Sequence, residues 1–402
     1  MAKFLNASLS KFPKGFLWGT STSAHQIEGN NTNSDWWYWE QNKPKNRKWP
    51  LEPSNKACNS YNLYSTDFDL CKKLNNNAVR ISVEWARLEP KQGTFSKKEF
   101  NHYKKVLKDA KNKGLKTFVT LHHFTSPLWF YKKYGWHNPK SAKLFAIYAK
   151  KCAKEFGDLI DYYITINEPQ VYLYMSYLKG VWPPSKKNPF LAFITNLNFM
   201  YAHSLSYKAI KSVNSDYAVG IVKNIAWYEP KNKYNLLDLI VSKFLYFLGA
   251  DSLLLPIKKY LDFIGLNYYF SNRINFFKNA NPNDIVSDLG WWIYPKGLEH
   301  VLISLKKYNL PIYITENGLA DSKDALRIKF IKSMLQSCLN AINKGVKLKG
   351  YFYWSLLDNY EWHEGFWPKF GLVHVNLKTF KRTPRKSFYY YSKIAKLNSL
   401  KI

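Results

Sequence analysis

Two glutamates define the chemistry this chain could perform. Glu168 stands in Asn167-Glu168-Pro169 and Glu316 in Glu316-Asn317-Gly318. Each directly follows a short apolar run, Tyr162–Ile166 and Pro311–Thr315, and each has an asparagine beside it. Two carboxyl groups flanking a glycosidic bond can divide labour, one as protonated acid and the other as ionised base or nucleophile. That division requires surroundings that push their pKa values apart. A cation such as Arg80 beside one would hold it ionised, and the negative charge kept there would raise the pKa of the other. Further candidates follow other apolar runs: His122-His123, Asn267-Tyr268-Tyr269, and Trp354-Ser355 with Asp358, Glu361 and Trp362 beyond it. Gln26 and Glu28 follow the first run, and Arg80 and Glu84 lie on or after the second. Either glutamate alone reads equally well as an ion-pair partner of Arg or Lys. The amide and aromatic residues at neighbouring positions favour the catalytic reading. The His122-His123 pair lacks a third ligand at a recognisable spacing, so a hydrogen-bonding role outranks a metal site.

Such residues need a scaffold that gathers them. Eight β-rich runs recur: Phe16–Thr20, Val79–Val83, Thr117–Leu121, Tyr162–Ile166, Ala218–Val222, Phe263–Leu266, Pro311–Thr315 and Gly350–Trp354. They read largely as continuous apolar runs rather than strict alternation, as strands buried on both faces do. Helical patterns lie between them. Leu326–Ile342 presents Ile328, Ile331, Leu335, Cys338, Leu339 and Ile342 on one face, and Ser141–Phe156 presents Leu144, Ile147, Tyr148 and Cys152. Tyr61–Leu74, Lys97–Lys113, Asn196–Val213 and Pro384–Ala395 also fit helices. This alternation predicts an α/β fold, a single (β/α)8 TIM barrel over residues 1–402 with its core at about 12–395. A doubly wound sheet would want a glycine-rich phosphate loop after the first strand, and none is there. In a barrel the strand ends carrying the glutamates form the site. Asn30–Asn55 and Phe270–Ser287 read as loops on that face.

Composition bounds the partners. The chain has 402 residues, 46% of them hydrophobic and 18% aromatic, with 15 Trp and 30 Tyr, enough for a large core and for aromatic faces in a wet cleft. The formal charge of +32 attracts anions, but the lysines are scattered and no basic helix interleaves with stacking aromatics, so no nucleic-acid partner is expected. The same charge favours weak adhesion to an anionic surface or membrane. Cys58, Cys71, Cys152 and Cys338 form no CxxC pair and predict reduced, buried thiols of a cytoplasmic protein. Met1–Ser10 lacks the apolar core of a signal peptide. The nearest approach to a membrane span, Leu236–Ile257, is interrupted by Asp238, Lys243 and Asp251, so none is expected.

Six segments together resemble glycoside hydrolase family 1, the β-glucosidase family. They are Phe16-Leu17-Trp18-Gly19; Ala24-His25-Gln26-Ile27-Glu28-Gly29; Arg80-Ile81-Ser82-Val83-Glu84-Trp85-Ala86-Arg87; Thr165-Ile166-Asn167-Glu168-Pro169; Ile314-Thr315-Glu316-Asn317-Gly318; and the run from Tyr353 to Trp362. The resemblance spans Phe12 to near Tyr391. It implies a retaining exo-β-glycosidase acting on β-glucosides, with β-galactosides and β-fucosides also plausible, and needing neither cofactor nor metal. Glu316 would be the nucleophile and Glu168 the acid/base. Arg80 and Tyr269 would orient Glu316, and Asn167 would bond the sugar 2-hydroxyl. Gln26, His123, Glu361 and Trp362 would hold the other hydroxyls, Trp354 would floor the ring, and Phe370 would line the end near the 6-hydroxymethyl group. The family's phosphoglycosidases carry Ser, Lys and Tyr where this chain has Glu361, Pro368 and Phe370, which disfavours a 6-phosphorylated sugar. The thioglucosidase branch has Gln in place of the acid/base glutamate, and inactive sugar-binding relatives lack one of the two glutamates.

The sequence departs from that pattern in two places. It is shorter between the fifth and sixth strands, where Tyr234–Ile257 is an apolar amphipathic segment, and it has Phe124 where many members have Trp. Both bear on the aglycone side. The segment is expected either to pack on the barrel or to expose an apolar patch for a membrane surface or a second subunit in a homo-oligomer.

Overall fold

The protein is described from a computed structural model covering residues 9–43 and 48–401. Expectations that concern residues 1–8, 44–47 and 402, including most of Met1–Ser10 and part of the loop Asn30–Asn55, lie outside the described residues.

The eight apolar runs form a closed parallel barrel. Its strands are β1 (Leu17–Ser21), β2 (Ala78–Ser82), β3 (Lys116–His122), β4 (Tyr162–Asn167), β5 (Ala218–Asn224), β6 (Phe263–Asn267), β7 (Ile312–Asn317) and β8 (Leu348–Trp354). They pair in chain order, and β8 returns to β1, so no edge is left. The apolar continuity of the runs is explained by the two layers they touch. Ala78, Phe118, Ile164, Val222, Phe263, Tyr313 and Phe352 point inward and fill the barrel's lower half, with Phe118 stacked on Tyr162 at 4.0 Å between ring centres. Their neighbours along each strand face the surrounding helices. With its lower half plugged by aromatic rings, the barrel can hold a ligand only at the other end.

The helices start where local chemistry allows. Ser96 caps Lys97–Asn112 by accepting from the Glu99 amide, and Asn188 caps the proline-led helix Pro189–Lys211 by accepting from the Leu191 amide. Ser141–Phe156 forms as expected, but its inward face is Ala142, Phe145, Tyr148, Ala149, Cys152, Ala153 and Phe156, and Ile147 is 57% exposed. Leu144 is only half-buried. The true face runs about one position round from the face that the largest aliphatic residues suggest, because small alanines let the helix approach the barrel.

Phe270–Ser287 is not a loop as expected. Ser271–Asn275 and Lys278–Asn279 form a hairpin, and Ser271–Asn275 also pairs with Trp227–Pro230, so a small three-stranded sheet stands above β5 and β6. The asparagine-rich, non-alternating pattern of this stretch hides its strands. Asn30–Asn55 likewise contains a short helix, Asp35–Gln41. All four cysteines are buried and unpaired.

Candidate active site

The two glutamates reach one buried hydrogen-bonded network, helped by a register shift on each of their strands. On β4, Ile164 points into the barrel, so strict alternation would send Asn167 outward. Between Ile164 and Asn167 the pairing with β5 shifts register, and Asn167 turns inward. On β7 the pairing shifts after Ile314 against both neighbours. Tyr313 and Glu316 therefore both point inward, while Asn317 turns outward to accept from Tyr351 Oη and donate to the Tyr268 carbonyl. Such bulges re-aim side chains at barrel rims. Glu168 itself adopts a left-handed backbone, φ 43° and ψ 59°, and caps the short helix Pro169–Leu173. A non-glycine residue held there costs on the order of 1–3 kcal/mol, a cost tolerated where the side chain's direction matters. Gly318 follows Glu316 because a Cβ at that position would lie 1.7 Å from the Trp354 carbonyl oxygen.

Around the carboxyls lies a continuous hydrogen-bonded network. Arg80, fully buried on β2, donates from Nη1 to Glu316 Oε1 and from Nη2 to Asn167 Oδ1 at 2.7 Å. Its Nε donates to Thr120 at 3.2 Å. Tyr269 Oη donates to Glu316 Oε2 at 2.5 Å, so each oxygen of that carboxylate has a donor. Asn267, the last residue of β6, donates to Glu168 Oε1 at 2.7 Å and accepts from Thr315 at 2.7 Å. Asn167 reaches His123 Nε2 at 3.2 Å.

This arrangement separates the two carboxyls. Glu316 has the guanidinium and a phenol; Glu168 has only amides. Burial, and then the neighbouring Glu316 charge, push the Glu168 carboxyl up to about 8. Burial and the same carboxylates hold the Tyr269 phenol well above its usual range, so it stays a donor. His123 is held neutral chiefly by burial, with the Arg80 charge acting the same way. One protonated carboxyl beside one cation-paired carboxylate can deliver a proton to one face of a bond and negative charge to the other.

Polar and aromatic groups line the rest of the cavity. Gln26 Nε2 donates to the Tyr360 carbonyl at 2.7 Å and lies 3.4 Å from Glu361 Oε2. Burial, then Glu316 and Glu168, push Glu361 up to about 8. His123 lies between Trp354 and Trp362 in near-parallel stacks, ring centres 6.1 and 6.0 Å away. Tyr269, Trp354 and Phe370 form an apolar wall with Trp291, whose ring centre is 5.6 Å from that of Tyr269. The structure thus gathers Arg80, Asn167, Glu168, Tyr269 and Glu316 with Gln26, His123, Trp354, Glu361, Trp362 and Phe370.

Other candidates lie elsewhere. His122 turns to Trp136 and Ser126, Glu28 pairs with Arg87 and Tyr103, Glu84 takes bonds from Asn31 and Thr125, and Asp358 pairs with Arg385. Among the described residues no group of three or more His, Cys, Asp or Glu could hold a metal ion. The strand-end rule singles out Asn267 but gives it no role; its bond to Glu168 emerges only from the structure. Trp291 lies far from any strand end, and no local signal marks it.

The chain is similar to known proteins along nearly its whole length. The family model described as Glycosyl hydrolase family 1 matches residues 8–244 and 241–400. A solved β-glycosidase from Pyrococcus horikoshii is similar with a TM-score of 0.91 and 39% identity, covering 98% of this chain and 97% of that one. A family 1 β-glucosidase from Thermotoga maritima, solved in complex with isofagomine lactam, gives a TM-score of 0.90 at 32% identity over 98% of this chain and 100% of that one. A 6-phospho-β-galactosidase of Staphylococcus epidermidis is 30% identical over 97% of this chain and 99% of its own length.

Proposed function

The chain belongs to glycosyl hydrolase family 1 and is a β-glycosidase, and from that premise we propose that it is a retaining exo-β-glycosidase of unphosphorylated sugars, β-glucosides first among them. The observation that carries this reading is the unequal setting of the two carboxyls. Glu316, paired with Arg80 and Tyr269, acts as nucleophile on the anomeric carbon. Glu168, kept protonated, gives its proton to the leaving oxygen and then takes one from the incoming water. The first step forms the Glu316–C1 ester and releases the aglycone with the Glu168 proton. The second breaks that ester and returns the proton to Glu168. Asn167, held by Arg80, presents its amide to the 2-hydroxyl, a contact that strengthens in the transition state. Gln26, His123, Glu361 and Trp362 hold the remaining hydroxyls over Trp354, and Phe370 closes the far end. This chain's residues supply acid, nucleophile and hydroxyl contacts without a cofactor. The four buried, unpaired thiols support a cytoplasmic setting.

A 6-phospho-β-glycoside is the second reading, since one relative carries that name. Glu361 counts against it. It lies near Glu168 and Glu316, and a phosphate dianion beside it would add negative charge to a buried site where Glu316 already pushes the Glu361 and Glu168 carboxyls up.

A slow 2-deoxy-2-fluoro β-glucoside with a dinitrophenol leaving group tests the proposal. Peptide mapping of the inactivated enzyme should place the sugar on Glu316. A label on any other residue, or turnover with inversion at the anomeric carbon, would refute it. The pH profile gives an independent check. Glu168 must carry its proton to act as acid, and its raised pKa keeps that proton on below about pH 8. kcat/KM should therefore decline as pH rises through about 8, and Glu168→Ala should abolish that limb for a substrate whose leaving group needs no protonation.

A further inference from the structure

The segment between β5 and β6 does more than pack on the barrel. Leu236–Tyr246 continues through Phe247–Asp251 into Ser252–Ile257. One side is tied down: Asp238 accepts from the Asn232 and Phe276 amides, and Asp251 accepts from Tyr308 and pairs with Lys307. Val241, Leu253, Leu254 and Ile257 are buried on the same side. By length and composition Leu236–Tyr260 could cross a membrane, but these contacts fasten it along its length to the barrel. Its other side exposes a strip of Leu236, Leu237, Ile240, Phe244, Phe247 and Leu248, each between 45% and 68% accessible. The hairpin tip adds Phe276 and Phe277, 51% and 64% exposed, and the bond from the Phe276 amide to Asp238 joins tip and strip into one surface. Monomeric proteins seldom expose so many large apolar side chains together.

The charge around the strip is one-sided. Lys231 and Lys233 stand at its head, Lys243 within it, Lys258 and Lys259 at its tail and Lys278 beside the hairpin tip, all exposed. From residue 231 to 260 the acidic residues are Asp238 and Asp251 alone, and both are buried. A second copy of the chain would bring lysines against lysines, each copy carrying a formal +32. An apolar strip edged by lysine matches instead the interface of an anionic bilayer, where phosphates meet the ammonium groups and the apolar side chains enter the acyl boundary. We infer that this face docks the enzyme, reversibly and without spanning, on an anionic lipid surface. The strip and hairpin stand beside the ends of β5 and β6, on the same end of the barrel as the two glutamates.

The test is sedimentation with vesicles of phosphatidylcholine, alone or mixed with phosphatidylglycerol, at about 0.1 M salt. The full chain should sediment with the mixed vesicles and stay free of the neutral ones. The variant Leu237→Ser/Ile240→Ser/Phe244→Ser/Phe277→Ser, altered only at exposed positions, should keep its thermal transition and lose about tenfold or more in partition. Equal binding by parent and variant would mean that lysine charge alone acts, and would overturn the inference. So would a parent that ignores both vesicles, or a parent that is dimeric while the variant is monomeric, which would make the strip a subunit interface. Binding is read without substrate, so its failure is separate from any failure of the proposed sugar chemistry.

Discussion

Glu316→Gly is expected to lower kcat on a nitrophenyl β-glucoside by on the order of 10⁴–10⁶-fold, about 5–8 kcal/mol of lost transition-state stabilisation. The loss is large because the variant removes the atom that bonds to C1, while Arg80 and Tyr269 remain aimed at an empty space. That space is the useful part of the prediction. An azide ion can occupy it, with the Arg80 guanidinium still present to hold the anion, and should restore turnover by attacking from the same face. The product would be the α-glycosyl azide. Glu168→Ala should behave in a complementary way. The glycosyl-enzyme still forms from an activated leaving group, and azide attacks it from the Glu168 side to give the β-glycosyl azide. For a poor leaving group the same variant should lose about 10²–10⁴-fold, the usual worth of a positioned general acid. Identical anomers from the two variants would contradict the assigned roles. An α product from Glu168→Ala and a β product from Glu316→Gly would exchange them.

The sequence exposes the scaffold more readily than the aim of its side chains. Each of the eight strands is legible because it must be apolar on both faces, and strand ends in a barrel all point to one rim. That is why Glu168, Glu316, Asn167 and Tyr269 can be named from position alone. Simple alternation fails at the residues that matter most. Counting by twos from Ile164 and Tyr313 sends Asn167 and Glu316 outward, and only the register shifts on β4 and β7 bring them in. Those shifts arise from how neighbouring strands pair, a long-range property that a local pattern does not carry. Ile147 shows a related limit. A helical period fixes that one face is buried, but the face is chosen by what packs closest, and here alanines outweigh an isoleucine. The small sheet above β5 and β6 escapes notice because its strands are rich in asparagine and serve a rim rather than a core. The motif resemblance to a known family supplies roles that spacing alone leaves open, such as which glutamate attacks.

Arg80→Met should be the second most damaging change, lowering kcat/KM by about 10²–10³-fold while the protein still folds. Methionine fills much of the arginine's volume, so the principal loss is charge. Breaking a buried ion pair by removing one partner costs about 3–5 kcal/mol, because the remaining charge is left uncompensated. Here three carboxyls, Glu168, Glu316 and Glu361, would share one cavity with no cation hydrogen-bonded to any of them. The physical consequence has a sign. The basic limb of the kcat/KM profile, set by Glu168 losing its proton, should move to higher pH, because the Arg80 charge is among the effects that lower that group's pKa. Asn167 loses its anchor in the same variant, so the penalty should be larger for a glucoside than for its 2-deoxy analogue, which has no 2-hydroxyl to bind. A purely structural arginine would predict something different: lower stability, an unmoved pH profile and equal losses on both sugars. Measuring kcat/KM against pH for the parent and for Arg80→Met, on glucoside and 2-deoxyglucoside, separates the two accounts.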